Sequence, residues 1–205
     1  MPAIMAPLLV IVDPNGDLLV TLPTADDSVT NAASEQSKQD NQKSQFLISS
    51  KHMMLVSPVF RAMLQPGFKE GTMLQSEGKV EVSLPDHAGA FTILIDIIHC
   101  RLKRVPLKVD LHMLLEIAIL VDKYQMYEVV DVFSDIWVRE LVATLPKTYS
   151  ADVLPWLCIS WVFELEDQFK QLTRILESER TWQDDLKMIE GSLWDLPIPE
   201  SVTSE

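Results

Sequence analysis

The chain has 205 residues, 47% hydrophobic and 23% charged, so it is long enough to bury a core and is predicted to be globular. Its formal net charge of −13 would repel a phosphate backbone, which argues against nucleic-acid binding. No apolar run approaches the roughly 18 residues of a membrane-spanning helix. No positive charge precedes the apolar N-terminal stretch, so we expect neither membrane insertion nor a signal peptide.

Two short strands are predicted near the N-terminus, where the apolar runs 8–12 and 18–22 flank the sequence DPNG. Because Asn-Gly is a strong signal for a tight turn between strands, the first run can fold back onto the second. Alternatively, the first run exchanges with the same strand of a second copy. We favour this exchange, since a closed two-fold dimer satisfies the unpaired edges of both copies at once.

A polar insert is predicted at residues 24–45, which contain hardly any bulky apolar side chain. Such a segment cannot bury enough apolar surface to offset its ordering entropy, so we expect it to be a disordered loop. The chain then resumes a strand at FLIS, residues 46–49. Ser49 or Ser50 can cap a short helix over 53–56.

The stretch SPVFRAML, residues 57–64, predicts a second helix directly after the first. The hydroxyl of Ser57 can cap it, and Pro58 suits the first helical position because its missing N–H would have no partner there. Apolar residues recur at one-turn spacing and predict a buried side. These residues are Val59, Phe60, Met63 and Leu64.

A half-buried strand at VEVSLP and a helix at AFTILIDIIHC are predicted next. The helix is apolar nearly all round, with Asp96 as the main exception, so it should pack on several sides at the centre of a domain. Asp110 can cap a helix that runs to about Tyr124. Its predicted apolar stripe consists of Leu111, Leu114, Leu115 and Ala118.

Helices dominate the rest of the chain. An amphipathic helix is predicted from Val129 or Val130 to Leu141, and ADVLPWLCISWVF forms a further apolar helical segment. The last predicted helix has a stripe of Leu165, Phe169, Leu172 and Leu176. Strands early and helices late predict an α+β fold with a helical C-terminal half. We expect the tail to dock through Leu193, Trp194 and Ile198 and then to fray.

No pattern of catalytic or ligand-binding residues emerges. The histidines His52, His87, His99 and His112 lack the i, i+4 pairing of metal-binding helices. With only six glycines there is no phosphate-binding loop, and the paired carboxylates lie on solvated faces. We therefore expect no enzyme activity, cofactor or metal, and protein partners. The alternative, a small-molecule binder or an unrecognised enzyme, would require a large apolar pocket.

The two cysteines, Cys100 and Cys158, lie in apolar runs, where a thiol behaves as a small hydrophobic group. So few cysteines fit a reducing compartment, and we expect the cytoplasm, the nucleus or both. A basic run between two helices is interpreted as a solvated loop, with contact to an acidic partner as the alternative. Its members are Arg101, Lys103, Arg104 and Lys108.

Three consecutive segments carry a family resemblance: FLISSKHMMLVSPVFRAML, VEVSLPDHAGAFTILIDIIHCR and LLEIAILVDKYQM. Over about residues 17–140 the chain resembles the BTB/POZ domain in its divergent filamentous-fungal form. The resemblance implies a small β-sheet flanked by helical hairpins, no catalysis and use as a protein-interaction module. It also implies an N-terminal strand segment (1–16), a domain with its insert at 24–45 (17–145) and a helical extension (146–205).

The resemblance further assigns roles to residues. The implied core consists of Phe60, Leu64, Phe91, Ile95, Ile98, Leu115 and Ala118. The implied homodimer interface consists of Leu8, Val10, Val12, Met53, Met54 and Val56. Some members bind a cullin ubiquitin-ligase scaffold through a hydrophobic-x-Glu triplet, to which Leu94-Ile95-Asp96 is the nearest match here. Leu94 and Asp96 are thus candidate contacts for an alternative function, a cullin-dependent substrate adaptor whose helical extension recruits the substrate.

Overall fold

The computed structural model describes residues 8–23 and 43–178. The chain divides into two compact units, Met1–Val105 and Pro106–Glu205, and each is described by itself. In the described residues a four-stranded sheet is combined with eight α-helices, which confirms the predicted α+β class. The domain limits implied by the family resemblance stay a prediction. The predicted docking and fraying of the tail lie outside the described residues, as does most of the polar insert.

The first unit is built on a mixed sheet. Its strands are β1 (Leu8–Ile11), β2 (Leu18–Pro23), β3 (Lys43–Ile48) and β4 (Val80–Ser83), in the order β1-β3-β2-β4. Strand β3 runs parallel to β1 and antiparallel to β2, and β2 runs parallel to β4. Val20 lies opposite both Phe46 and Val82, and all three are buried. This register defines the core face of the sheet.

The alternative to strand exchange, a fold-back of the first strand onto the second, does not occur in the described residues, because β1 pairs with β3. The DPNG turn does form, with the amide of Gly16 donating to the carbonyl of Asp13 at 2.9 Å. It carries the chain past the end of β3, where the amide of Asp17 donates to the carbonyl of Ile48 at 3.2 Å. A Cβ at position 16 would lie 2.7 Å from that Ile48 oxygen, so the close crossing requires glycine.

Strand β3 begins earlier than predicted. Residues 43–45, which were assigned to the polar insert, belong to the strand, with Lys43 opposite Pro23 and Ser44 opposite Leu22. Their polar side chains give no hydrophobic alternation, so backbone pairing with β2 rather than side-chain pattern determines this part of the strand.

Four helices complete the first unit: α1 (Ser50–Val56), α2 (Pro58–Met63), α3 (Lys69–Glu77) and α4 (Ala88–Ile98), followed by a 3-10 turn at Leu102–Arg104. The predicted caps of the first two are confirmed. The hydroxyl of Ser49 accepts from the amide of His52, and that of Ser57 accepts from the amide of Phe60 at 3.1 Å. Arg61 of α2 donates to the carbonyls of Met54 and Leu55, so it satisfies the end of α1 and ties the two helices together.

Helix α4 is the buried helix that the sequence predicts. Phe91, Leu94 and Ile95 are fully buried, and the ring of Phe91 lies 5.7 Å from that of Phe46 on the sheet. The exception in the pattern, Asp96, is buried as well, and its carboxylate lies 3.0 Å from Nε of Arg101.

The second unit is helical where it is described, with α5 (Leu111–Tyr124), α6 (Tyr127–Leu141), α7 (Val153–Val162) and α8 (Glu166–Ser178), plus a 3-10 turn at Val142–Thr144. Asp110 caps α5 as predicted, accepting from the amide of Met113 at 2.8 Å. Helix α7 contacts α5 and α8 and is buried on almost every side. None of the described helices has both the length and the apolar character to cross a membrane.

The residues assigned to the core by the family resemblance are buried with one exception. Phe60, Leu64, Phe91, Ile95, Ile98 and Ala118 are each at most 6% exposed. Leu115 is only half-buried, because the buried stripe of α5 runs instead through Leu114, Ile117, Ala118 and Val121. Of the predicted stripe, Leu114 and Ala118 are buried, whereas Leu111 and Leu115 are half-buried.

Candidate functional site

The residues expected at a dimer interface lie mostly on the core side of the first unit. Val10 is opposite Phe46 and therefore faces the core side of the sheet, and both Val10 and Val12, the residue after β1, are half-buried. In α1, Met53 is fully buried, while Met54 and Val56 are half-buried. The side chain of Leu8 lies outside the described part of the chain.

The opposite face of the same sheet carries an exposed apolar cluster. Ile11 lies opposite Leu47 on β3, and Leu47 lies opposite Leu19 on β2, so the three side chains form one row across the strands. Leu9 precedes Ile11 by two residues and therefore shares its face. We name Leu9, Ile11, Leu19 and Leu47 the outer-face cluster. Leu9 is 49% exposed and Ile11 is 55% exposed, whereas Leu19 and Leu47 are half-buried.

Polar side chains lie beside this cluster on β2, β3 and β4, where Gln45 is opposite both Leu9 and Thr21. On β4, Glu81 lies opposite Leu19, and its carboxylate accepts a hydrogen bond from the hydroxyl of Thr21 at 3.2 Å. On the other side, β1 is the edge of the sheet and carries only uncharged residues. The charged side chain of Glu81 therefore limits the cluster at β4, whereas no charged residue limits it at the β1 edge. Sequence analysis did not predict the outer-face cluster, because the face on which each β1 side chain lies depends on the register of β1 with β3.

The candidate cullin contacts are both buried. Leu94 is fully buried, and Asp96 is 5% exposed and paired with Arg101. Neither side chain reaches the surface of the first unit in this conformation. The cullin contact stays a prediction. It requires a conformation in which Leu94 and Asp96 are exposed.

Two histidines meet at the junction of α1 and α4. The rings of His52 and His99 stack with centroids 4.9 Å apart and planes 27° apart. Nε2 of His99 accepts from the amide of Ser49 at 3.1 Å, and Nδ1 lies 2.9 Å from the carbonyl oxygen of Ile95. An amide can only donate, so Nε2 is the unprotonated nitrogen and Nδ1–H donates to Ile95. Burial lowers the pKa of His99, which favours this neutral ring.

The cysteines differ from each other. Cys158 is buried, and burial raises its pKa to about 12, so its thiol is inert at neutral pH. Cys100 was expected to be buried and is instead exposed, because α4 ends at Ile98 and Cys100 takes a left-handed conformation with φ of 56°. That change of chain direction turns its side chain away from the core.

The described residues contain no cluster of metal ligands. No three His, Cys, Asp or Glu side chains within residues 8–23 and 43–178 are placed to hold a metal. A shallow depression between α6 and α7 includes Tyr127, whose hydroxyl donates to Asp122 at 2.6 Å. Burial and this hydrogen bond raise the pKa of Tyr127 to about 12, so it stays protonated and is no general base at neutral pH.

The predicted basic run is divided between the two units. In the first unit, Arg101 is bound to Asp96, while Lys103 and Arg104 are exposed on the 3-10 turn. In the second unit, Lys108 pairs with Glu140 at 2.7 Å. Two of its four cations thus have carboxylate partners within their own units, which weakens the case for an acidic ligand.

Comparisons with known proteins leave the family open. Neither models of protein families nor curated proteins match this chain. The functional interpretation therefore depends on the residue pattern and on the geometry described above.

Proposed function

We propose that this chain is a non-enzymatic protein-interaction module of the BTB/POZ type that assembles with a second copy of itself. The sequence resemblance over residues 17–140 supports the family. The order of elements around the sheet, with two short capped helices after β3 and a buried helix after β4, is compatible with it. The free thiols of Cys100 and Cys158 support an intracellular setting.

The outer-face cluster carries the interaction part of the proposal. Leu9 and Ile11 place two large, half-exposed apolar side chains on an edge strand, and Leu19 and Leu47 extend the same surface inward. Contiguous exposed apolar surface of this kind marks interaction sites in soluble proteins. Within the described residues no strand pairs with the outer edge of β1, so its backbone groups are available as well.

A second copy suits this surface better than a charged partner does. Strand β1 contains no charged residue that would oppose another β1 across a two-fold axis. Antiparallel pairing of two β1 edges would join two outer-face clusters into one apolar strip, with each Glu81 at the far side. Because β1 already pairs with β3 in its own subunit, this edge-to-edge contact does not require the exchange of strands.

The test is the solution mass of the full chain by light scattering at tens of micromolar. We expect a dimer for the unaltered chain and a monomer for Ile11→Lys, which places a charge on the apolar face of the edge strand β1. Val132→Lys is the matched control, since Val132 is 69% exposed on α6 in the other unit, and this variant should stay dimeric. A monomeric unaltered chain, or a dimeric Ile11→Lys chain, would refute the proposed self-assembly.

A further inference from the structure

His99 joins two elements that are far apart in the chain. Its ring projects from the end of α4, where Nδ1–H donates to the carbonyl of Ile95 one turn earlier. Its Nε2 accepts from the amide of Ser49, the residue that caps α1. The ring of His52, in the first turn of α1, covers one face of the imidazole. Both ring nitrogens of His99 therefore have hydrogen-bond partners, and the bond accepted from Ser49 exists only in the neutral form.

We propose that the His52–His99 pair is a proton-controlled latch between the N-terminus of α1 and the C-terminal end of α4. When Nε2 takes up a proton it becomes a donor, so it can no longer accept from the amide of Ser49. The charged ring also lies against His52, at a centroid distance of 4.9 Å. Protonation of His99 therefore removes the hydrogen bond from Ser49 and adds electrostatic repulsion from His52, so the end of α4 separates from the start of α1.

The charged groups around the pair set the range of pH in which it opens. The hydrogen bond to the carbonyl of Ile95 and the carboxylate of Asp13, in the turn after β1, favour the charged ring, whereas His52 and Arg101, after α4, disfavour it. The guanidinium of Arg101 is itself bound to Asp96. Burial is the largest influence and lowers the pKa of His99 below its ordinary value of 6.5.

The sign of the pH dependence follows from this. The folded chain holds His99 less protonated than the unfolded chain does, so the latch contributes its full stability above about pH 6.5. The contribution is lost as the pH falls through the lower pKa of the folded state. Acid therefore opens the latch, and neutral pH closes it.

Opening should remain local to the start of α1. Ser50, the first residue of α1, is held separately by Asp17, which accepts from its amide and from its hydroxyl. The other end of α1 is held by Arg61. The cap at Ser49 can thus separate from α4 while the rest of the helix stays in place.

Amide hydrogen exchange on the full chain tests the latch directly. We expect the protection factor of the Ser49 amide to be constant above about pH 6.5 and to fall in acid, by about tenfold for each pH unit below the folded-state pKa of His99. The amide of Phe60, whose cap is the non-titrating hydroxyl of Ser57, is the internal reference and should keep its protection. His99→Gln retains an acceptor without a titrating ring and should abolish the fall.

Two further variants keep the test decisive. His112→Gln changes an exposed histidine of α5 and should leave the response of Ser49 intact. His52→Ala changes an exposed residue, so we expect it to fold even if His99→Gln does not. Because His52 lowers the pKa of His99, this variant should raise the titration midpoint of His99, measured by the resonances of its ring protons. Protection of Ser49 that is independent of pH, a fall that persists in His99→Gln, or an unchanged midpoint in His52→Ala would each overturn the latch.

Discussion

Asp17 accepts two hydrogen bonds from Ser50, one from the amide to Oδ1 and one from the hydroxyl to Oδ2, each at 2.7 Å. The contact fixes the first residue of α1 to the residue that precedes β2. Both bonds are short and charge-assisted, and the site is partly buried, so they contribute more than ordinary surface hydrogen bonds do.

Removal of this carboxylate should destabilise the first unit. We expect Asp17→Ala to lower the free energy of unfolding by about 2–3 kcal/mol, because two charge-assisted hydrogen bonds are lost and Ser50 is left buried without them. Asp17→Asn, which keeps an acceptor oxygen, should cost less. Urea unfolding measures both, and Asp135→Ala on the exposed face of α6 is the control. Equal stabilities of Asp17→Ala and the control would show that the contact contributes nothing.

The ion pair between Asp96 and Arg101 should be costly to break from one side. Arg101→Leu leaves the buried carboxylate of Asp96 without its cation, which should lower the free energy of unfolding by about 3–5 kcal/mol. Replacing both partners with leucine should recover most of that loss, since no unpaired charge remains. A double variant no more stable than Arg101→Leu would assign the loss to packing of the arginine rather than to the charge.

The two thiols should differ sharply in reactivity. In the folded chain at about pH 8 we expect a thiol-specific disulfide reagent to modify one thiol per chain rapidly, that of exposed Cys100. The second thiol should react only after denaturation. Burial raises the pKa of Cys158 to about 12, so almost none of it is thiolate at that pH. Cys100→Ser should abolish the fast phase. A fast phase that survives in that variant would mean that Cys158 is accessible.

The polar insert should be replaceable by a tight turn. Pro23 and Lys43 are paired directly across β2 and β3, so a loop of about four residues can connect them in place of residues 24–42. We expect an unchanged or slightly raised melting temperature, since the shorter loop costs about 1 kcal/mol less entropy on closure. The replacement must stop at residue 42, because Lys43 and Ser44 belong to β3. Loss of cooperative unfolding would show that the insert packs against the fold.

Local chemistry was the part of the fold that could be read from the sequence. The helix starts at Ser57-Pro58 and Asp110 depend on groups within three residues of each other, and both caps are confirmed. The sequence analysis does not predict helix α3, because its apolar residues are few. Gly71 in this helix is required by the turn that precedes it, since a Cβ there would lie 1.9 Å from the carbonyl oxygen of Gln65. A local pattern cannot report such an approach.

Long-range pairing was the part that could not be read. The Asn15-Gly16 signal correctly predicts a turn, but it does not reveal that β3 offers β1 a better partner than β2 does. The outer-face cluster and the stacking of His52 on His99 both depend on contacts between segments distant in sequence. Exposure of Cys100 depends on one left-handed residue at the end of α4.

The parallel pairing of β1 with β3 also affects how the chain is made. Ribosomes add about 5–20 residues per second, so β1 is synthesised roughly 2 to 6 s before β3 begins at Lys43. During that interval the nascent chain has an apolar strand whose partner does not yet exist. We expect chaperones that recognise short apolar segments to bind 8–11 on the ribosome and to be displaced once 43–48 has emerged.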